Sequence, residues 1–196
     1  MHTRLDASLQ STMPNHFKSV ARVVVYRSGS EHAFSVYANV HRKTRQLSLA
    51  GMTDLGGVMF AMTCDQGVVT IKKNPSGWDD SVLTTVIAPI MQTIFLPQLT
   101  EYAIIKKDSG GNLLHQSRRQ DGSLETFVFD SKGGQWNAHT LRSYMLFGEI
   151  ERIRRIRFQE FKPLADWPAP FPHRIDIDDE RHGFKATISV RSLTVL

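Results

Sequence analysis

The run that decides the fold reads Phe34-Ser35-Val36-Tyr37-Ala38-Asn39-Val40, then Leu47-Ser48-Leu49-Ala50-Gly51, then Val58-Met59-Phe60-Ala61-Met62-Thr63-Cys64. Apolar residues alternate with more polar or smaller ones in each piece. A strand sends successive side chains to opposite faces, so a period of two marks half-buried β-structure. Working outward, Val23 and Val25 carry the alternation upstream, and Ser28-Gly29-Ser30 between the first two runs suits a hairpin turn. Downstream, Gly67 follows Asp65-Gln66 at a tight turn, and Val69 and Ile71 begin a strand ending at Lys72-Lys73-Asn74-Pro75. Short links join antiparallel neighbours, so Phe17 to Asn74 is predicted as an antiparallel meander.

The period changes at Trp78. Asp79 or Asp80 can cap a helix, because a carboxylate accepts the unpaired N–H groups of a first turn. Val82, Leu83, Val86, Ile87, Ile90, Met91, Ile94 and Phe95 then recur at helical spacing. The stripe is two residues wide per turn, as for a helix pressed onto a large apolar surface. Pro89 should kink or split this helix, and Pro97 suits its end.

Strands resume beyond it. Leu113 to Ser117 and Leu124, Thr126, Val128 flank Asp121-Gly122, a strong hairpin signal, and Gly133-Gly134 is a further turn. Trp136 to Phe147 and Glu149 to Phe161 carry no single period. Pro163, Pro168, Pro170 and Pro172 predict an extended loop around Trp167. Ile175-Asp176-Ile177 and Phe184 to Val195 are predicted as two last strands, joined at Arg181-His182-Gly183. No repeat, linker or composition break divides the chain. One domain is predicted over 1–196, with its core in 18–195, an N-terminal extension over 1–17 and a helical lid insert over 79–96.

Composition sets the class. With 196 residues, 41% hydrophobic and 22% charged, the chain can bury one sizeable core and is not a disordered polymer. The single cysteine, Cys64, excludes an internal disulfide. No run approaches the roughly 20 apolar residues of a spanning helix. Met1 to Ser11 lacks the apolar stretch of a signal peptide, so the expectation is a cytoplasmic protein or a sequence starting after an export signal. The net charge of +5 is modest. The dense basic run Arg152, Arg154, Arg155, Arg157, interleaved with Ile153, Ile156 and Phe158, reads as a solvated face alternating with a buried one, and no nucleic-acid partner is expected.

Familiar reactive motifs are missing. The sequence has no Gly-rich phosphate loop, no Cys-x-x-Cys, no His-Glu-x-x-His and no Gly-x-Ser-x-Gly elbow. The eight histidines are spaced apart and read as surface residues on polar strand faces. Asp176, Asp178, Asp179 and Glu180 lack the spacing of a calcium loop and read as an acidic turn. Cys64, beside Met62 on a strand, reads as a small packed thiol. Ala61-Met62-Thr63-Cys64 has the letters of a lipoprotein cleavage box, but it sits mid-chain without a leader. No catalytic residue, metal site or cofactor is predicted.

The stretch from Leu49 to Val69, with Leu49, Gly51, Thr53, Gly56, Phe60, Gly67 and Val69 at their spacing, resembles a bacterial family of small lipoproteins, domain of unknown function 3261 (DUF3261). That family is similar to the lipoprotein receptor LolB and its carrier LolA. The order of elements also fits: meander, helical insert, hairpin, closing strand pair. The resemblance covers roughly Lys18 to Leu193. It implies a mainly β (α+β) fold, an incomplete antiparallel β-barrel whose open side is covered by a helical lid. It implies a hydrophobic cavity for acyl chains, at the periplasmic face of the outer membrane, with an outer-membrane or lipoprotein-carrier partner. Family members often sit with genes for aryl polyenes, which implies a cargo of that type. The chain shows no lipoprotein signal or N-terminal acylated cysteine, a departure from the family.

A curved sheet with an apolar inner face and a broad apolar helix can enclose either a solid core or a pocket. Met52, Met59, Met62 and Met91 flank or lie within these elements, and methionine adapts to flexible ligands. The expectation is therefore a non-enzymatic carrier of a lipid or acyl chain. Its expected wall is Phe34, Val36, Leu49, Phe60 and Met62 from the sheet, with Val86, Ile90, Ile94 and Phe95 from the lid. One alternative is an enzyme acting on an acyl or polyene substrate, which would need a His–carboxylate pair inside the barrel. Another is a basic module that holds anionic surfaces through Arg152 to Arg157.

Overall fold

Residues 13–99, 103–130, 135–144, 150–164 and 167–196 are described in this computed structural model. Residues 1–12, the Gly133-Gly134 turn, the stretch past Tyr144 up to Glu149 and the side chain of Arg152 lie outside the described residues. The strands are β1 (His16–Arg27), β2 (Ser30–His41), β3 (Gln46–Met52), β4 (Val58–Asp65), β5 (Val68–Lys73) and β6 (Ile104–Lys107). They continue as β7 (Leu113–Arg118), β8 (Leu124–Phe129), β9 (Trp136–Tyr144), β10 (Ile150–Leu164), β11 (Trp167–Asp179) and β12 (Phe184–Val195). All twelve form one antiparallel sheet in the order β5-β4-β3-β2-β1-β12-β11-β10-β9-β8-β7-β6. Its ends, β5 and β6, do not pair, so the barrel is incomplete. The helical segment between those strands packs on the inner face.

The meander forms as its alternation predicts. Phe17, Ala21 and Val23 on β1, Phe34, Val36 and Val40 on β2, Leu47 and Leu49 on β3, and Phe60 and Met62 on β4 all point into one core. The turns are glycine-dependent where φ is positive: Ser28-Gly29 (φ 51 and 80) and Gln66-Gly67 (φ 48 and 93) both take the two left-handed positions a tight hairpin needs. Gly51 has a different task. It lies opposite Phe60, and a Cβ there would sit 2.3 Å from the Phe60 ring. The ring therefore lies flat over the glycine and reaches Trp78, with which it stacks at 5.7 Å. Thr53 closes the β3–β4 link, its hydroxyl accepting from Gly57 N at 3.0 Å.

The helical segment starts as α1 (Asp80–Val82), where the Asp79 carboxylate accepts from Ser81 N at 2.8 Å. It passes through a π turn (Leu83–Ile87) into α2 (Ala88–Phe95). Pro89 does not split it. Ile87 and Ala88 keep right-handed helical angles, and Ala88 N bonds Leu83 O, five residues back. Proline has no N–H for the carbonyl four residues earlier and its ring crowds that carbonyl, and one widened turn relieves both problems. Leu83, Ile90, Ile94 and Phe95 are buried against the sheet, each contributing about 1.5–3 kcal/mol.

One expectation from the second half is corrected, and one open reading is settled. The proline-rich stretch is not a loop: Pro163 lies within β10, and Pro168, Pro170 and Pro172 lie within β11, with Lys162 opposite Phe171 and Phe161 opposite Pro172. The β11–β12 pairing covers only Arg174 to Asp179, so the first part of β11 has a neighbour on one side alone. There a missing N–H costs no ladder bond. The stretches without a clear period, from Trp136 and toward Phe161, are β9 and β10, each held by ladders on both sides to the strands before and after it. Among the described residues no helix is long and apolar enough to cross a membrane.

Candidate functional site

A cavity of about 360 Å³ opens where the start of the helical segment meets the sheet. Val25 of β1 and Phe184 of β12 line its wall, and the exposed Arg27 of β1 and His32 of β2 stand at its rim. Trp78, Asp79, Val82, Val86 and Ile87 come from the helical side, and His182 from the β11–β12 turn. Local structure explains the grouping. The wide π turn brings Val82 and Ile87, five residues apart, onto one side with Val86. Register places His32 opposite Val25 and Arg27 opposite Phe184. Trp78 is held over the entrance by edge contact with Phe34 and by Asn74, whose side-chain amide donates to its carbonyl oxygen.

Behind this mouth lies a second void of about 40 Å³, room for about one water. It is lined only by apolar residues. Phe34, Val36, Leu49, Phe60 and Ile90 all border it, and Val86 borders the mouth. Met62, Ile94 and Phe95 are buried but line neither space, and of the four methionines singled out, Met91 alone lines the void. Val25, Ile87 and Phe184 border both spaces and form the partition between them. Beneath α2 the side chains are thus nearly close-packed, and the open volume between the helical segment and the sheet lies at the π turn, while Leu49 and Met62 also border a shallow space of about 570 Å³ with Lys18, Tyr37 and Lys72. The sequence pattern could not show this, because an apolar stripe looks the same over a filled core and over a pocket. The signal that existed was Pro89, whose missing N–H produces the wide turn.

The histidines are not all surface residues. His115 is fully buried, and His139 is 1% exposed in the other half of the inner face. His139 Nε2 lies 3.0 Å from Glu125 Oε1, and Arg119 pairs with the same carboxylate. Burial alone would raise Glu125, but hydrogen bonds from His139 and Arg119 outweigh it and hold its pKa at about 2. Burial also pushes His139 down, so the ring stays neutral and donates from Nε2, leaving Nδ1 without a hydrogen-bond partner. The Phe127 ring meets His139 edge-on at 4.9 Å. This is a His–carboxylate pair inside the sheet, but it lines neither the mouth nor the void.

The sign of its pH effect follows. Below the ordinary histidine value of 6.5, His139 in the unfolded chain takes up a proton that the folded chain refuses, so acidification lowers stability. Glu125 adds a loss of the same sign between 4.5 and about 2. His139→Gln keeps a donor for Glu125 and does not titrate. Urea unfolding at about pH 7 and about pH 5 should therefore show a stability difference smaller by about 1 kcal/mol in the variant than in the parent. Equal differences would count against a neutral buried His139.

The basic run and the acidic turn are partners across β10 and β11. Arg154 lies opposite Asp179, Arg155 opposite Asp178, and Arg157 opposite Asp176. Arg154 and Asp179 face inward, with Nε 2.6 Å from Oδ2, while Arg155 turns outward and pairs with Glu180 at 2.7 Å. Asp179 also accepts from His182, at 3.1 Å from both the backbone N and Nδ1. Burial would raise Asp179, but the Arg154 charge and the His182 hydrogen bonds hold it below the usual carboxylate range. The outcome is a rigid turn that presents His182 to the mouth. Cys64 is buried, and burial pushes its thiol up, as suits a packed side chain.

The open twelve-strand sheet with a helical segment on its concave face has solved counterparts. A LolA superfamily protein from Nitrosomonas europaea matches 100% of this chain and 93% of its own, with a TM-score of 0.66 and 9% identity. The fold is LolA-like. A DUF1329 family protein from Desulfovibrio piger shares it over 99% of this chain and 91% of its own, with a TM-score of 0.58 and 9% identity. So does a domain from Vibrio parahaemolyticus described as an outer membrane lipoprotein-sorting protein, over 98% and 89%, with a TM-score of 0.54 and 10% identity. Neither a family model nor a curated protein sequence matches the chain. At these identities the LolA-like likeness speaks for the fold.

Proposed function

We propose that this protein is a non-enzymatic carrier or receptor that takes the alkyl part of a lipid, or of an acylated protein, into the mouth at the π turn. The carrying observation is a 360 Å³ cavity with mainly apolar walls on a LolA-like sheet. That volume lies at the low end of small-ligand sites. Each methylene transferred from water would contribute about 0.8 kcal/mol. A longer chain would continue into the small void once the Ile87 and Phe184 side chains swing aside. Work at the periplasmic side of the outer membrane fits the description of the Vibrio parahaemolyticus domain as an outer membrane lipoprotein-sorting protein, and an aryl-polyene-type chain, as in the DUF3261 resemblance, is one conceivable cargo.

The enzymatic alternative is less well supported. His139 and Glu125 do not line the mouth, and His182, bonded to Asp179, borders a cavity whose lining contains no serine, threonine or cysteine to act as a nucleophile. The basic-module alternative is weakened, since Arg154 and Arg155 of the run are both paired with carboxylates.

The test is to plug the mouth. Ile87 is only partly buried, so Ile87→Trp should fill the cavity without breaking the core. Uptake of a fluorescent long-chain acyl probe should weaken at least roughly tenfold, about 1.4 kcal/mol, with the melting temperature nearly unchanged. Undiminished uptake by a folded variant would reject the mouth as the binding site.

A further inference from the structure

The rim of the mouth is chemically unlike its walls. Arg27, His32 and His182 gather there from three separate elements, against one acidic side chain, Asp79. Arg27 and His32 are brought together by the β1–β2 hairpin register, and His182 is fixed by its two hydrogen bonds to Asp179. Asp179 is itself neutralised by Arg154, so its charge does not cancel that of the rim. With its Nδ1 held by Asp179, His182 keeps Nε2 for another partner. Asp79 is engaged at the start of α1 through Ser81 N. An apolar slot ending in one arginine and two imidazoles matches a molecule with an alkyl tail and one negative head.

We infer that the ligand of the mouth is an anionic single-chain amphiphile, a carboxylate or phosphate on an alkyl tail, whose head lies between Arg27, His32 and His182. This rests on the carrier reading above and narrows it from apolar chains in general to those ending in an anion. The tail packs against Val86, Ile87 and Phe184, and Trp78 covers it. Asp79 sets a limit on affinity by repelling the head.

Displacement of a neutral fluorescent apolar dye by dodecanoate, dodecyl phosphate and dodecanol tests the inference. At least one of the two anionic ligands should bind roughly fivefold more tightly than the alcohol, the size of an exposed charge pair, and the better one identifies the head. Arg27→Gln with His182→Gln should remove that preference, so that the three ligands bind this variant alike. Asp79→Asn keeps a helix-capping side chain and should strengthen anion binding alone. Equal binding of all three ligands by the parent protein would overturn the anionic head while leaving the carrier reading intact. Binding of none would reject both. A preference that survives the Arg27 and His182 changes would place the head elsewhere and also overturn the inference.

Discussion

Asp179→Ala should lower the unfolding free energy by about 3–5 kcal/mol, the largest loss expected from any single carboxylate among the described residues. Asp179 is 0% exposed, and Arg154, its partner at 2.6 Å, is almost as deeply placed. Removing the carboxylate leaves a guanidinium inside the sheet with no counter-charge, which costs far more than the pair contributes. The same change frees the backbone N and ring of His182. Urea unfolding would give the stability, and hydrogen exchange at residues 180–183 would show whether the turn loosens. A loss below about 1 kcal/mol would mean that water reaches Arg154 and that the pair acts as a surface one.

Phe95→Ala should cost about 3–5 kcal/mol and yet leave acyl-probe affinity within roughly twofold when measured well below the melting temperature. Phe95 is buried at the end of α2 and meets Phe17 edge-on at 6.0 Å, and Phe17 meets Phe171 at the same distance. These rings pin the helical segment across β1 and β11. Phe95 borders neither the mouth nor the void. Stability and binding are therefore expected to separate at this position and to separate in the opposite sense at Ile87. If Phe95→Ala abolished uptake in a folded protein, the chain would have to run deep beneath α2, and the mouth would be only its entrance.

The parts legible in the sequence were those governed by neighbours along the chain. Phe34, Val36, Leu49 and Phe60 could be placed on one face because strand alternation is local, and their turns because Gly29 and Gly67 must adopt positive φ. The capping Asp79 and the apolar stripe to Phe95 were readable for the same reason. Strands β9 and β10 were not, since neither carries a clean period of two, and pairing with the strands on either side overrides a weak local preference. Prolines 168, 170 and 172 misled because nothing local says that the first part of β11 lacks a second neighbour.

The site divides the same way. The arginines of β10 and the acids of β11 were both visible as runs, but only the register makes Arg154 and Asp179 a buried pair and turns Arg155 outward. The meeting of His139 with Glu125, fourteen residues apart in sequence, likewise depends on β8 pairing with β9. By itself the sequence determined antiparallel β-structure with one broadly amphipathic helical segment, because backbone geometry ties hydrophobic period to element type, while the open edge of the sheet was only what the family resemblance implied. Only the tertiary structure decided where that segment leaves space. A cavity is the volume that side chains from remote segments fail to fill, and no stretch of chain carries that difference alone.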